Sequence, residues 1–170
     1  QLGVVGASPT IRSISFTEAR PIIEQKHYLH CWPLATQVFG LFSKEVLVGV
    51  AVYGPASLGL VTRWGARCDL HNTAITELKR LWVSDVMPHN TETWFLGRTY
   101  GTLRRAGYKL IVSLADLSVG HHGGIYKAAG FTYVGTTERR HDYYLPNGKK
   151  VERFGAIKKG HLAVLRPIKN

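Results

Sequence analysis

Asp116 closes an apolar run, Lys109-Leu-Ile-Val-Ser-Leu-Ala-Asp116, which reads as a strand covered on both faces. Ligands of α/β sheets collect at the carboxyl ends of strands, so a carboxylate there is a candidate catalytic group. A cap for the Gly-rich loop that follows is the competing reading. His27, His30 and Cys31 would share one face of a helix, a spacing compatible with metal ligation, and His121 and His122 could add to the set. Lone histidines more often serve structure. No iron or zinc site is therefore predicted, and His27 is read as a general base or substrate contact. Glu77 and Arg80 form an ion pair or line a cleft. Strict alternation sets them on opposite faces of a strand, which argues against both being catalytic.

Charge supplies a second set of candidates. Twenty-two Lys and Arg face eleven Asp and Glu, a net charge of +11, and such an excess concentrates polyanions around the chain. From Glu138 onward nine Lys or Arg face three acids. Arg139, Arg140, Lys149 and Lys150 lie there beside Tyr143, Tyr144 and Phe154, and cations interleaved with aromatics predict nucleic-acid contact rather than a merely solvated face.

The elements that must position these groups follow from periodicity. A strand is expected around Ser13 to Phe16, then a helix capped by Thr17 that runs to about His30 and stops before Pro33. Gln37 to Ser43 and Glu45 to Tyr53 read as strands, with Val46, Val48, Val50 and Val52 on one face. Glu77 to Ser84 alternates as a strand, a helix follows from about Glu92 to Ala106, and Gly107 stops it. After the Asp116 strand come a short helix over His122 to Ala129 and a strand from Phe131 to Val134. That order means an α/β sheet. Asn147-Gly148 between strand-like flanks predicts a terminal hairpin.

Length fits one domain over residues 1–170, with a basic arm at 138–170. No run reaches the ~20 apolar residues of a membrane span, so no membrane partner is expected. The opening Gln-Leu-Gly-Val-Val-Gly lacks the features of a signal peptide and reads as a start with a little missing upstream. Two cysteines, Cys31 and Cys68, make no disulfide framework, which suits a reducing cytoplasm.

Two segments carry a family resemblance over roughly residues 18–137. One is Glu77-Leu-Lys-Arg-Leu-Trp-Val with Pro88-His-Asn90-Thr-Glu-Thr-Trp94. The other is Ala115-Asp116-Leu-Ser-Val-Gly120-His121-His-Gly123-Gly-Ile-Tyr126-Lys-Ala-Ala-Gly-Phe131. Their combination resembles the Mom family of phage DNA-modification proteins, built on the GNAT acyltransferase fold. The resemblance implies a GNAT-like mixed, mostly antiparallel sheet flanked by helices, with the basic C-terminal β-hairpin added. It implies transfer of a carbamoylmethyl group to the exocyclic 6-amino group of adenine in phage DNA, which protects that DNA from host restriction. An ordinary GNAT acetyltransferase acting on a small amine or protein is the second reading. A non-catalytic DNA-binding module on the same fold is the third.

The same resemblance assigns roles. Tyr126 is the acid for the leaving group, with Asp116 and His27 as its catalytic companions. Leu81, Val83, Asn90, Thr91 and Ser113 hold the donor. Tyr28, Tyr53 and His121 are candidate substrate contacts, the tyrosines by stacking on a flipped adenine, with a place in the core as their competing reading. One departure bears on the donor. Pro88-His-Asn-Thr-Glu-Thr-Trp94 has no glycine where GNAT proteins carry a pyrophosphate loop, and Glu92 stands where phosphate would be repelled. The donor is thus read as either acetyl-CoA or an aminoacyl-tRNA such as glycyl-tRNA. DNA is the expected partner; tRNA and a homodimer are left open.

Overall fold

The computed structural model describes residues 8–57, 59, 61, 65–117 and 120–137, together with the backbone of 143–144, 150–151 and 161–167. The elements are β1 (Thr10–Ser13), α1 (Phe16–Lys26), β2 (Gln37–Ser43), β3 (Val46–Pro55), β4 (Ile75–Val83), α2 (Thr91–Arg105), β5 (Leu110–Asp116), α3 (Gly124–Ala128) and β6 (Thr132–Thr136). Three further strands follow: β7 (Tyr143–Tyr144), β8 (Lys150–Val151) and β9 (His161–Pro167). A seven-stranded sheet runs in the order β1-β2-β3-β4-β5-β9-β6. Only the β4–β5 pair is parallel; its other neighbours are antiparallel. This is the mixed, mostly antiparallel α/β sheet that the sequence implies.

The cap of α1 lies two residues before the expected one. Ser15 caps it: the Glu18 amide donates to the Ser15 hydroxyl at 3.2 Å, and the Ser15 amide donates to the Glu18 carboxylate at 2.9 Å. This reciprocal box satisfies two amides of the first turn. The helix stops at Lys26 rather than near His30; His27 is already extended and His30 turns left-handed at φ 48°. His27, His30 and Cys31 therefore share no helical face, which removes the premise of the metal spacing. α2 ends where expected, with Gly107 at φ 93° just beyond it.

Two bulges overturn the simple alternation. Leu41 pairs with Gly49 and Phe42 with Leu47, so Val48 is the extra residue and joins Ala51 on one face while Val50 and Val52 occupy the other. Val52 pairs with Arg80 and Tyr53 with Leu78, so Lys79 is the extra residue of β4. Antiparallel partners share a face, so Arg80 follows Val52 and Glu77 follows Gly54. Glu77 and Arg80 thus lie on the same face, contrary to the alternation argument.

The sheet is covered on both sides. α2 packs Phe95, Leu96 and Leu103 against Leu41, Ala51, Tyr53 and Leu78. α1 packs Ala19 and Ile23 against Val38, Val50 and Val52 on the other face. Burying the Phe, Leu, Ile and Val side chains among these is worth about 2 kcal/mol each, which fixes the two helices on the sheet.

The C-terminal region is more than an arm. β7 pairs antiparallel with β8, Tyr143 opposite Val151 and Tyr144 opposite Lys150, as a hairpin requires. β9, which the basic-arm reading missed, inserts between β5 and β6 and pairs with both.

Candidate active site

β4 and β5 pair only from Ile75↔Leu110 to Leu78↔Ser113, although β4 continues to Val83 and β5 to Asp116. The strands part beyond that point and open the sheet at their carboxyl ends. At the apex the Ser113 hydroxyl donates to the Leu78 carbonyl at 3.0 Å, both atoms buried. The bulge at Lys79 lies just past the apex on the β4 side, where a kinked strand is re-aimed.

Tyr126 stands beside this opening on α3. Its ring packs edge-on against Phe131 at 5.4 Å, and the residue is half-buried. Burial pushes its phenol up from the ordinary value, opposed by the Ser113 hydroxyl within hydrogen-bonding range; Glu77 and Arg80 also act on it. Tyr126 belongs to the α2 side of the sheet, whereas Glu77 and Arg80 face the other.

The α1–β2 loop supplies the opposite wall. The Tyr28 ring lies 4.5 Å from His27 and meets His121 edge-on at 4.9 Å. Burial, then Asp116 and Tyr126, push the Tyr28 phenol up to about 12. Asp116 itself is wholly buried at the end of β5, and its carbonyl accepts the His121 amide at 3.3 Å. Arg80 ties this loop to β4: its Nε donates to the Cys31 carbonyl at 3.3 Å and its Nη2 to Cys31 Sγ at 3.1 Å. Its Nη1 donates to the Lys79 carbonyl at 2.7 Å. His27, Tyr28, Asp116, His121 and Tyr126 are thus brought together from four separate segments.

His27 has particular chemistry. Its Nδ1 accepts the Leu29 amide at 3.2 Å, so in the neutral ring the proton sits on Nε2. Burial, then the positive charge of Arg80 and the neighbouring His121 and His30, push it down to about 4. At neutral pH His27 therefore offers a hydrogen-bond donor through Nε2, and the general-base expectation is revised accordingly.

Of the residues expected to hold a donor, Leu81 and Val83 are half-buried against the α2 face of the core. Thr91 is buried and its Oγ1 donates to the Pro88 carbonyl at 2.6 Å. Asn90 stands at the N-cap of α2 in a left-handed conformation, φ 67°, and makes no side-chain cap bond. An Asx residue tolerates that backbone, which explains the residue type. Glu92 occupies the first turn, as the sequence indicates.

Other expectations separate from the site. Tyr53 cannot stack on a base: it is fully buried, its ring packs edge-on against Phe39 at 5.8 Å, and its hydroxyl shares a 2.8 Å hydrogen bond with Thr99. Glu77 is buried too; its carboxylate accepts the Ser57 amide at 3.1 Å and pairs with the Lys79 ammonium at 2.8 Å. Lys79 was not singled out, because nothing in the sequence marks a bulge. Among the described residues no three His, Cys, Asp or Glu side chains gather as a metal site, and no helix is long and apolar enough to cross a membrane. Arg139, Arg140 and Lys149 lie outside the described residues, and of Lys150 only the backbone pairing is described.

The model of the Mom protein family matches residues 8–161. Methylcarbamoylase mom of Escherichia phage Mu is 31% identical over 157 residues, covering 88% of this chain and 63% of that protein. The chain therefore spans less than two thirds of this relative's length. Among solved structures, the ribosomal-protein-S18-alanine N-acetyltransferase of Escherichia coli superposes with a TM-score of 0.60 at 16% identity, covering 95% of each chain. A GNAT family acetyltransferase from Elizabethkingia anophelis with acetyl-CoA bound gives 0.57 at 13% identity, covering 94% of this chain and 97% of that one. At such identities the likeness is one of fold: the architecture is that of the GNAT acetyltransferases.

Proposed function

The chain belongs to the Mom protein family, and on that premise we propose that it is a transferase modifying the exocyclic 6-amino group of adenine in DNA. The group finally carried by the amine is carbamoylmethyl, and its effect is to protect phage DNA from host restriction. The observation that carries this reading is the convergence of Tyr126, Asp116, Tyr28 and His121 where β4 and β5 part. Adenine's amine is a poor nucleophile, its lone pair delocalised into the ring. It must leave the duplex to be reached, and it needs a proton acceptor on one side and a donor to the leaving group on the other.

The residues divide that work. The partly exposed Tyr28 ring stacks on the flipped base, with His121 at its edge. The amine proton passes by way of solvent in the opening to Asp116, which is wholly buried and does not itself touch the base, as nitrogen bonds to the donor's carbonyl carbon. Tyr126, held protonated by its burial, gives its proton to the departing oxygen as the carbonyl–oxygen bond breaks. The neutral His27 donates through Nε2 to the base or the carbonyl oxygen.

The donor in this reading is an aminoacyl ester such as glycyl-tRNA. An acetyl group contains no nitrogen, whereas glycyl and carbamoylmethyl contain the same atoms in a different order, so glycyl transfer followed by rearrangement balances. The loop without glycine and the carboxylate of Glu92 in the first turn of α2 also suit a donor other than a pyrophosphate seated at that helix end.

Mass spectrometry of nucleosides from bacterial DNA after expression of this chain tests the reading. An adenosine heavier by about 57 Da supports it, one heavier by about 42 Da supports acetyl transfer, and unmodified DNA refutes both. Labelled glycyl-tRNA that leaves no label in adenine rules out the proposed donor.

A further inference from the structure

We propose that the groove between β1 and α2 is a binding site for single-stranded nucleic acid, separate from the reaction cleft and measurable without any donor. The groove encloses about 410 Å³ and is lined by Arg12, Ser13, Phe39, Trp94, Arg98 and Thr102 among others. The Arg98 guanidinium, the Trp94 indole and two hydroxyls are what a phosphodiester strand with a stacked base would use. Arg98 lies over the Trp94 ring at 5.1 Å. Trp94 keeps 38% of its surface exposed, which leaves room for a base on the combined platform. The Arg12 guanidinium is turned to the other face of the sheet, 4.1 Å over the Phe42 ring and 3.9 Å from Glu18 of α1, so the positive charge of the groove comes from Arg98.

The outer face of α2 extends the site. Trp94, Arg98, Gly101 and Arg105 recur at positions i, i+4, i+7 and i+11 of this helix, which makes one stripe. Gly97 flanks that stripe. A Cβ at Gly97 would meet nothing within 4 Å, and one at Gly101 only the far end of the Arg105 side chain at 3.7 Å, among the described residues. Glycine within a helix is unfavourable, and here no internal packing requires it at either position. A bare helix surface beside arginines lets a sugar–phosphate strand approach closely. Occupancy from outside thus gives both glycines a reason.

The test is fluorescence anisotropy with labelled single-stranded DNA and RNA of one sequence, about 12 nucleotides long, alongside the same DNA as a duplex. Arg98→Gln with Arg105→Gln should weaken single-strand binding about tenfold and flatten the dependence of log K on log salt by about 1.4. Arg98→Gln alone gives an intermediate loss and keeps the test valid if the double variant folds poorly. Trp94→Phe should abolish the tryptophan quenching that strand binding causes. Gly97→Ala and Gly101→Ala should raise the melting temperature while weakening binding, opposite signs that a purely structural role does not produce. A loss confined to DNA assigns the strand to the substrate, and a loss confined to RNA assigns it to a donor carrier; both uphold the site. Unchanged single-strand affinity and salt slope in folded Arg98→Gln and in the double variant overturn it, as does a loss seen with duplex alone.

Discussion

Ser113 donates its hydroxyl proton to the carbonyl of Leu78 at 3.0 Å, at the last residue pair before β4 and β5 diverge. That bond satisfies a buried carbonyl at the point where regular pairing ends. Ser113→Ala leaves it without this donor and deprives the Tyr126 phenol of a neighbour. The expected cost is about 1–3 kcal/mol of stability. Urea denaturation measures it, and an unchanged midpoint would show that the apex needs no such bond.

Tyr126→Phe separates chemistry from packing. The ring keeps its edge-on contact with Phe131, so the melting temperature should stay within a few degrees. Loss of the phenolic proton should slow modification about 10²–10⁴-fold, the usual range for a general acid. Nucleoside mass spectrometry over a time course reads the rate. Full activity in the folded variant removes Tyr126 from the reaction.

The two tyrosines proposed to stack on adenine part company in the structure, and variants should show it. Tyr53→Phe breaks a buried hydrogen bond to Thr99 and should cost about 1 kcal/mol of stability, with activity per folded molecule unchanged. Tyr28→Ala removes an exposed ring next to His27 and His121. It should weaken substrate binding by about 1–3 kcal/mol, as the loss of one stacking platform does. Filter binding with a DNA duplex carrying an abasic site opposite the target separates stacking from base opening. Equal effects of the two variants would contradict the assignment.

Much of the frame was legible in sequence. The apolar run ending at Asp116, the strand over Gln37–Ser43 and the helix stopping at Gly107 follow from local patterns, and each is found within a residue or two. Properties set by partners elsewhere were not legible. The bulges at Val48 and Lys79 arise from register against neighbouring strands, and one inserted residue reversed the faces deduced for Glu77 and Arg80. β9 has only the short apolar stretch Leu162–Leu165 as a local signal, surrounded by basic residues, and its place between β5 and β6 is a matter of topology. Tyr28 and Tyr53 look equally available in sequence; only the packing of α2 on the sheet buries one of them. Asp116 is marked by its place at the end of an apolar strand and His27 by its residue type, whereas Tyr126 is singled out by family resemblance rather than by any spacing.

His27 gives a pH dependence of definite sign. Its folded value lies near 4, below the ordinary 6.5, so between these limits the unfolded chain binds a proton that the folded chain refuses. Stability from this residue is complete above pH 6.5 and is lost as pH falls toward 4. Protonation would also turn Nδ1 from an acceptor into a donor facing the Leu29 amide, which breaks the 3.2 Å bond that shapes the loop carrying Tyr28. The expected loss is about 2 kcal/mol, allowing for partial solvent screening of the ring. Chemical denaturation at a series of pH values, compared with His27→Gln, isolates it. Glutamine does not titrate and can still accept from the Leu29 amide, so its stability curve should be flatter than the native one from pH 6.5 down to 4. Parallel curves for the two proteins would mean that His27 is solvated enough to protonate in place, and that the loop does not depend on its neutral form.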